Sequence, residues 1–351
     1  MNMLDYAKKY GQFSFEEYPF NEIDAAIFSY LTYLNWELID IDIETTLIPF
    51  YQFYPYFQTL LNVNKDPEQF LSLLLCMNDS IRYCNCMVGF FQSVFDPLLD
   101  EQFSAMVFVC EDNIYNICFR GTDTSIVGWK EDFNMLFCQE TYGQKSSVKY
   151  VESLSFPSYS YRLIGHSKGG NFATFCASHL DSIQNCIEIY NFDGPGFLEN
   201  NLNTIQPIYH KFIPQGSIFG LILENSNHYT IIQSDAKHLH QHDLFNWNIQ
   251  DDHFIRTSQL DSLSLFLQQS GNTWLQNASL EQRKIFIESF YELIQKENVE
   301  DIYDFQFVNL RNIIKQIKTI DAQTKAIINQ LIRVLIQSNL QTLKEYKKKD
   351  D

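Results

Sequence analysis

The sequence predicts an α/β protein in which a mainly parallel central sheet is flanked by helices, with an additional helical region before it and a helical bundle after it. Three observations carry that expectation. Between residues 101 and 255, short apolar runs alternate with helical segments, the pattern of βαβ units and a parallel sheet. The stretch "LIGHSKGGNFATFCA" at 163–177 passes from an apolar run into a helix through a serine flanked by glycines. The flanking segments, 1–100 and 256–351, read as helical over most of their length, so three regions are expected with those bounds: an N-terminal helical region packed on the core, the α/β core at 101–255, and a C-terminal helical extension.

The elements follow in order. Asn21 is a suitable N-cap, and Ile23, Ala26, Ile27, Tyr30, Leu31 and Leu34 recur at the spacing of a helix stripe. Residues 67–95 read as helical and mostly buried. "FSAMVFVCEDNIYNICFRGTD" (103–123) gives two strands, 103–110 and 114–120, joined at Asp112-Asn113 as a hairpin. Helices near 126–138 and 146–155, a strand at 161–165 and a helix at 168–181 come next. Strands at 186–192, 208–213 and, more weakly, 228–233 complete the core. From about 255 onward only helices are expected. "SLEQ" (279–282) forms a capping box ahead of Phe286, Phe290, Leu293 and Ile294, and a last amphipathic stretch carries Ile328, Leu331, Ile332 and Leu335.

Bulk properties narrow the function. The 351 residues carry a formal net charge of −18, which argues against a nucleic-acid surface and against docking onto anionic lipid. The N-terminal twenty residues lack the apolar stretch of a secretory signal, and no run of 18 apolar residues occurs, so a cytoplasmic protein without a transmembrane segment is expected. Eight cysteines, several inside apolar runs, read as reduced and buried, and Cys84-x-Cys86 lacks metal-site spacing.

The chemistry-bearing signal is Gly165-His166-Ser167-Lys168-Gly169, a G-x-S-x-G between a strand and a helix. Three of only 13 glycines, Gly165, Gly169 and Gly170, surround that serine. In such a context the serine sits on a sharp strained turn, and its neighbours lack side chains so that helix and strand can pass closely. The turn lifts the hydroxyl clear of the sheet and aims the Lys168 N–H at a developing oxyanion. The plainer reading is a structural glycine-rich turn.

"FRGTDTSIVGWKEDF" (119–133), "GHSKGGN" (165–171), "NFDGPGF" (191–197) and "QHDLFNW" (241–247), with the opening "FSFEEYPFNEIDAAIFSYLTYL", together resemble the Mbeg1-like family of bacterial proteins. That family is related to the class 3, or fungal-type, lipases of the α/β-hydrolase fold. The resemblance implies Thr122 as the second oxyanion donor beside Lys168. It also implies a lid from Asp123 to Leu136 with Ile126, Val127, Trp129 and Phe133 as its apolar face, for which an ordinary packed helix is the alternative. It matches Asp132 to a structural aspartate of the lipase lid region, and it places Ser217 where those lipases carry their catalytic aspartate.

A serine hydroxyl needs a base. His242 in the "QHD" stretch follows the last core strand and is the candidate, with His240 next; His166 leaves the turn in another direction and reads as packing. For the acid, Asp193 ends the strand before and keeps the chain order Ser, Asp, His, while Asp243, or no acid, stays open. The Lys168 amine reads as exposed, able to meet a polar substrate group. The expectation is a serine hydrolase of the esterase or lipase type acting on an ester or thioester of an apolar acyl group, a small-molecule or lipid-like substrate, with no cofactor and no metal. A catalytically inactive hydrolase-fold binding module and a serine peptidase are the rivals.

Overall fold

In the computed structural model the described residues are 1–62, 67–111, 113–154, 159–180, 183–199, 208–224, 226 and 228–296. The stretch through Ile328 and Leu335 lies outside them. The elements, in order, are α1 (Met3–Tyr10), α2 (Glu22–Leu31), β1 (Leu47–Pro49), α3 (Phe57–Leu60), α4 (Pro67–Asn78), β2 (Met87–Asp96), β3 (Glu101–Glu111) and β4 (Ile114–Phe119). Next come α5 (Ile126–Asn134), α6 (Tyr142–Ser153), β5 (Ser160–His166), α7 (Lys168–His179), β6 (Cys186–Phe192), β7 (Ile208–Pro214) and β8 (Thr230–Ile232). The short β9 (Ile249–Gln250), β10 (His253–Phe254) and β11 (Arg256–Thr257) precede α8 (Ser262–Asn277) and α9 (Leu280–Lys296).

Nine strands form one sheet in the order β1-β2-β3-β4-β5-β6-β7-β8-β11. From β4 to β8 every pairing is parallel, whereas β1 to β4 and the β8–β11 edge pair antiparallel. Both faces are covered, which is why the inner strands read as nearly unbroken apolar runs. Alternation along the strands still assigns the faces: Met106, Phe108, Cys118, Ile164, Tyr190 and Phe192 turn toward α1, α2 and α4. Ala105, Val107, Ile117, Phe119, Leu163 and Ile189 turn toward α6 and α7.

Capping chemistry sets several helix starts. The Asn21 side chain accepts from the N–H groups of Ile23 and Asp24, and Asp24 answers by accepting from the Asn21 N–H. Helix α6 begins four residues before the apolar periodicity indicates, because Thr141 and Gln144 close a capping box there. Ser279 and Gln282 do the same for α9, as the sequence suggests.

The helical reading of residues 67–95 holds only as far as Asn78. Residues 87–96 form β2, paired with β1 and β3. Here a run rich in Val and Phe adds a strand to the β3–β4 hairpin, and a bulge between Gly89 and Gln92, with Phe90 at φ 51°, bends it. The segment 1–100 therefore contributes two strands to the sheet as well as helices. Similarly, β11 lies within the segment expected to be helical only.

Candidate active site

The geometry at residue 167 follows from its neighbours. Ser167 has φ 57° and ψ −130°, a region an L side chain enters only under strain, and it joins the end of β5 to the start of α7. A Cβ on Gly165 would run into the Gly169 backbone, and one on Gly169 would run into the Phe119 carbonyl. These two glycines are thus required by the close passage of α7 across β5 and β4. Ser167 itself stays half-buried, and among the described residues no hydrogen bond engages its Oγ.

Asp193 ends the neighbouring strand β6 with φ 52° and is fully buried. Its Oδ2 lies 2.6 Å from His242 Nδ1, so Nδ1 carries the proton and donates it. Its Oδ1 accepts from Ser217 Oγ at 2.5 Å and from the Gly220 N–H at 3.2 Å. Ser217, at the position aligned with the acid, therefore donates to the Asp193 carboxylate. The His242 side chain is 21% exposed. No hydrogen bond among the described residues uses its Nε2.

The segment carrying His242, a 3-10 turn over His238–His242, is pinned beside it. Gln241 is buried, accepts from the Gly216 N–H (2.8 Å) and donates to Asp261 (3.0 Å). His166 Nε2 lies 2.8 Å from the His242 carbonyl oxygen, which can only accept, so Nε2 is the protonated nitrogen. Its Nδ1 then accepts from the Tyr33 hydroxyl at 2.8 Å. Burial holds the His166 pKa well below the ordinary histidine value, which fits a neutral ring of that tautomer. His166 thus serves packing and orientation, as its direction at the turn implies. Asp243, the other candidate acid, accepts from the Phe245 N–H and caps the next turn. His240 shares the 3-10 turn with His242, and it is His242 that contacts Asp193.

Thr122 follows β4 at the same end of the sheet, its hydroxyl donating to Asp132 Oδ2 on α5. Burial pushes the Asp132 carboxyl up to about 6, against the lowering influence of Lys168 and of the Thr122 hydrogen bond. Asp132 therefore anchors the 120–125 turn to α5. At the head of α7, the Lys168 N–H precedes any intrahelical acceptor.

The Lys168 amine corrects the sequence expectation. It is fully buried rather than exposed, donating to Gln102 Oε1 at 2.8 Å and to Glu131 Oε2 at 3.0 Å. Glu131, also without exposure, accepts further from the Gln102 and Gly143 N–H groups. No motif points to this pair, because its members lie 37 residues apart. The visible hint is Glu101-Gln102, two polar residues opening an otherwise apolar strand. Ile126, Val127, Trp129 and Phe133 of α5 are all half-buried, with the Trp129 ring 6.1 Å from Phe219 and Phe133 6.1 Å from Tyr291. Phe219 in turn lies 4.5 Å from the His242 ring.

Elsewhere, a cavity of about 130 Å³ lies beside the far end of α7, lined by Glu140, Phe175, His179 and Phe197, and it includes none of the predicted site residues. All eight cysteines are free, and no described helix is long and apolar enough to cross a membrane. A family model, Mbeg1-like, matches residues 77–292. Among solved structures the chain is similar to a Rhizomucor miehei lipase propeptide complex (18% identity, TM-score 0.31, 44% of this chain and 58% of that one). It is also similar to M37 lipase (14% identity, TM-score 0.35, 56% of this chain and 67% of that one). The chain thus spans little more than half the length of the first of these. No curated protein matches it.

Proposed function

The chain belongs to the Mbeg1-like family, and we propose that it is a serine hydrolase of the α/β-hydrolase fold, cleaving an ester or thioester of an apolar acyl group. The observation that carries this reading is the 2.6 Å contact between Asp193 Oδ2 and His242 Nδ1, made from the end of the strand adjacent to the one that presents Ser167. An imidazole held by a carboxylate at Nδ1 keeps Nε2 free as a base, and the order Ser167, Asp193, His242 is that of the fold.

In this mechanism Ser167 Oγ attacks the acyl carbonyl while its proton passes to His242 Nε2. The oxyanion of the tetrahedral intermediate lies against the backbone N–H groups of Thr122 and Lys168, the latter at a helix N-terminus where negative charge is favoured. His242 next gives the proton to the leaving alcohol or thiol, and a water repeats the sequence to release the acid. Asp193 stays ionised throughout and stabilises the imidazolium. The apolar surroundings supplied by Phe219 and Trp129 suit an acyl chain.

Hydrolysis of p-nitrophenyl esters of increasing chain length tests the proposal. Wild-type turnover with loss of roughly 10⁴-fold or more in Ser167→Ala, whose melting transition stays intact, is the expected result. A wild type and variant that are equally slow would overturn it.

A further inference from the structure

We infer that both walls of this site are fixed to the α/β core by buried ion pairs, so that the substrate is an ester met as a dissolved monomer, with no lipid–water interface needed to uncover Ser167. The inference rests on the serine-hydrolase reading and narrows its substrate.

The first wall is α5. Its Glu131 carboxylate receives the Lys168 ammonium at 3.0 Å, the Gln102 N–H at 3.0 Å and the Gly143 N–H at 2.6 Å, so one side chain ties α5 to α7, β3 and α6 at once. Both charged side chains have no exposure. Lifting α5 away would carry the Glu131 carboxylate off and leave the buried Lys168 ammonium with the neutral Gln102 Oε1 as its remaining acceptor, a cost that holds an opened form to below about one molecule in a hundred. The outer side of α5 is covered as well. Phe133 meets Tyr291 of α9, and Arg283 of α9 donates to the Leu136 carbonyl at 3.0 Å, just past the end of α5.

The second wall is the 215–224 segment, which carries Phe219. Glu224 accepts from the Lys211 amine of β7 at 2.5 Å, with side-chain exposures of 2% and 0%. At its other end the Gly220 N–H and Ser217 hydroxyl are held by Asp193. Each wall thus has its own buried pair, and the two meet where Trp129 faces Phe219. Even so, Ser167 and His242 keep partial exposure between them, so small molecules reach the site as it stands. A net charge of −18 further disfavours residence at an anionic surface.

The full-length protein is assayed with tributyrin through its solubility limit, beside p-nitrophenyl butyrate kept monomeric. Hydrogen exchange over residues 126–134 is followed with and without phosphatidylcholine vesicles. The inference requires monomeric turnover, a rate that changes by less than about twofold across the limit, and α5 amides equally protected in both conditions, since an interface that binds no alternative state shifts nothing. A steep rise at the limit, or loss of α5 protection on vesicles, would overturn it while leaving the hydrolase reading in place. No turnover in either phase would sink that reading, and the inference with it. Glu131→Gln, where it folds, is expected to lower monomeric turnover and expose the α5 amides; unchanged protection in that variant counts against the ion pair as the fastening.

Discussion

Ser167 and Asp193 end adjacent parallel strands with nearly the same positive φ, 57° and 52°, and their side chains are treated in opposite ways. The Asp193 carboxylate is fully buried and accepts from three donors. Ser167 Oγ has no hydrogen-bond partner among the described residues and keeps some exposure. At Asp193 three donors accompany the unusual φ, so the conformation is compensated by the contacts it makes. At Ser167 the backbone is held by glycine-enabled packing of α7 against β5, and the side chain gains nothing from it. Under the hydrolase reading, strain without a local return is what a residue kept for chemistry is expected to show.

Breaking the saturated member should have the largest effect. Asp193→Asn leaves the fold in place but gives His242 an amide that can present an N–H toward Nδ1, favouring the wrong tautomer. Ester turnover is expected to fall by roughly 10³- to 10⁴-fold. A loss under tenfold would mean that Asp193 serves the loop rather than the imidazole.

A second perturbation acts on the anchor between α5 and the 120–125 turn. The Asp132 carboxyl titrates near 6 in the folded chain against an ordinary 3.8. Between those values the folded state binds the more protons, so this group's contribution to stability is present at low pH and is lost as pH rises toward 6. Asp132→Asn removes the ionisation. Measured by thermal melts, the variant should gain about 2 kcal/mol on the wild type between pH 4 and pH 7. It should also turn over more slowly, because the Thr122 hydroxyl loses its carboxylate. A stability gap independent of pH contradicts this account.

Glycine at the two left-handed positions sharpens the contrast with the smallest change. Ser167→Gly relieves strain and is expected to stabilise by about 1 kcal/mol after glycine's extra chain entropy. Asp193→Gly relieves similar strain but orphans buried donors, and is expected to destabilise by about 2 kcal/mol. Thermal melts of equal sign for both would erase the distinction.

Much of this was legible in the residues. The G-x-S-x-G between a strand and a helix placed Ser167, and the chain order pointed to Asp193 and His242, because local motifs and strand ends are sequence-local facts. The helical reading of 87–95 failed since its apolar spacing suits either period, and only pairing with β3 decides between them. The Lys168 amine was read as exposed because its acceptors, Glu131 and Gln102, come from other elements and are joined to it only by folding. Ser217 looked like a lost acid, whereas across the sheet end it donates to the carboxylate at the end of the preceding strand, β6.

The central claim is that the Ser167 hydroxyl is activated by an imidazole that Asp193 holds. Mass spectrometry of the intact protein after treatment with a fluorophosphonate tests it most directly. One adduct per chain, on the peptide containing Ser167, absent in Ser167→Ala and strongly slowed in Asp193→Asn, is the predicted result. An unlabelled wild type, or an adduct on another residue, would contradict the account.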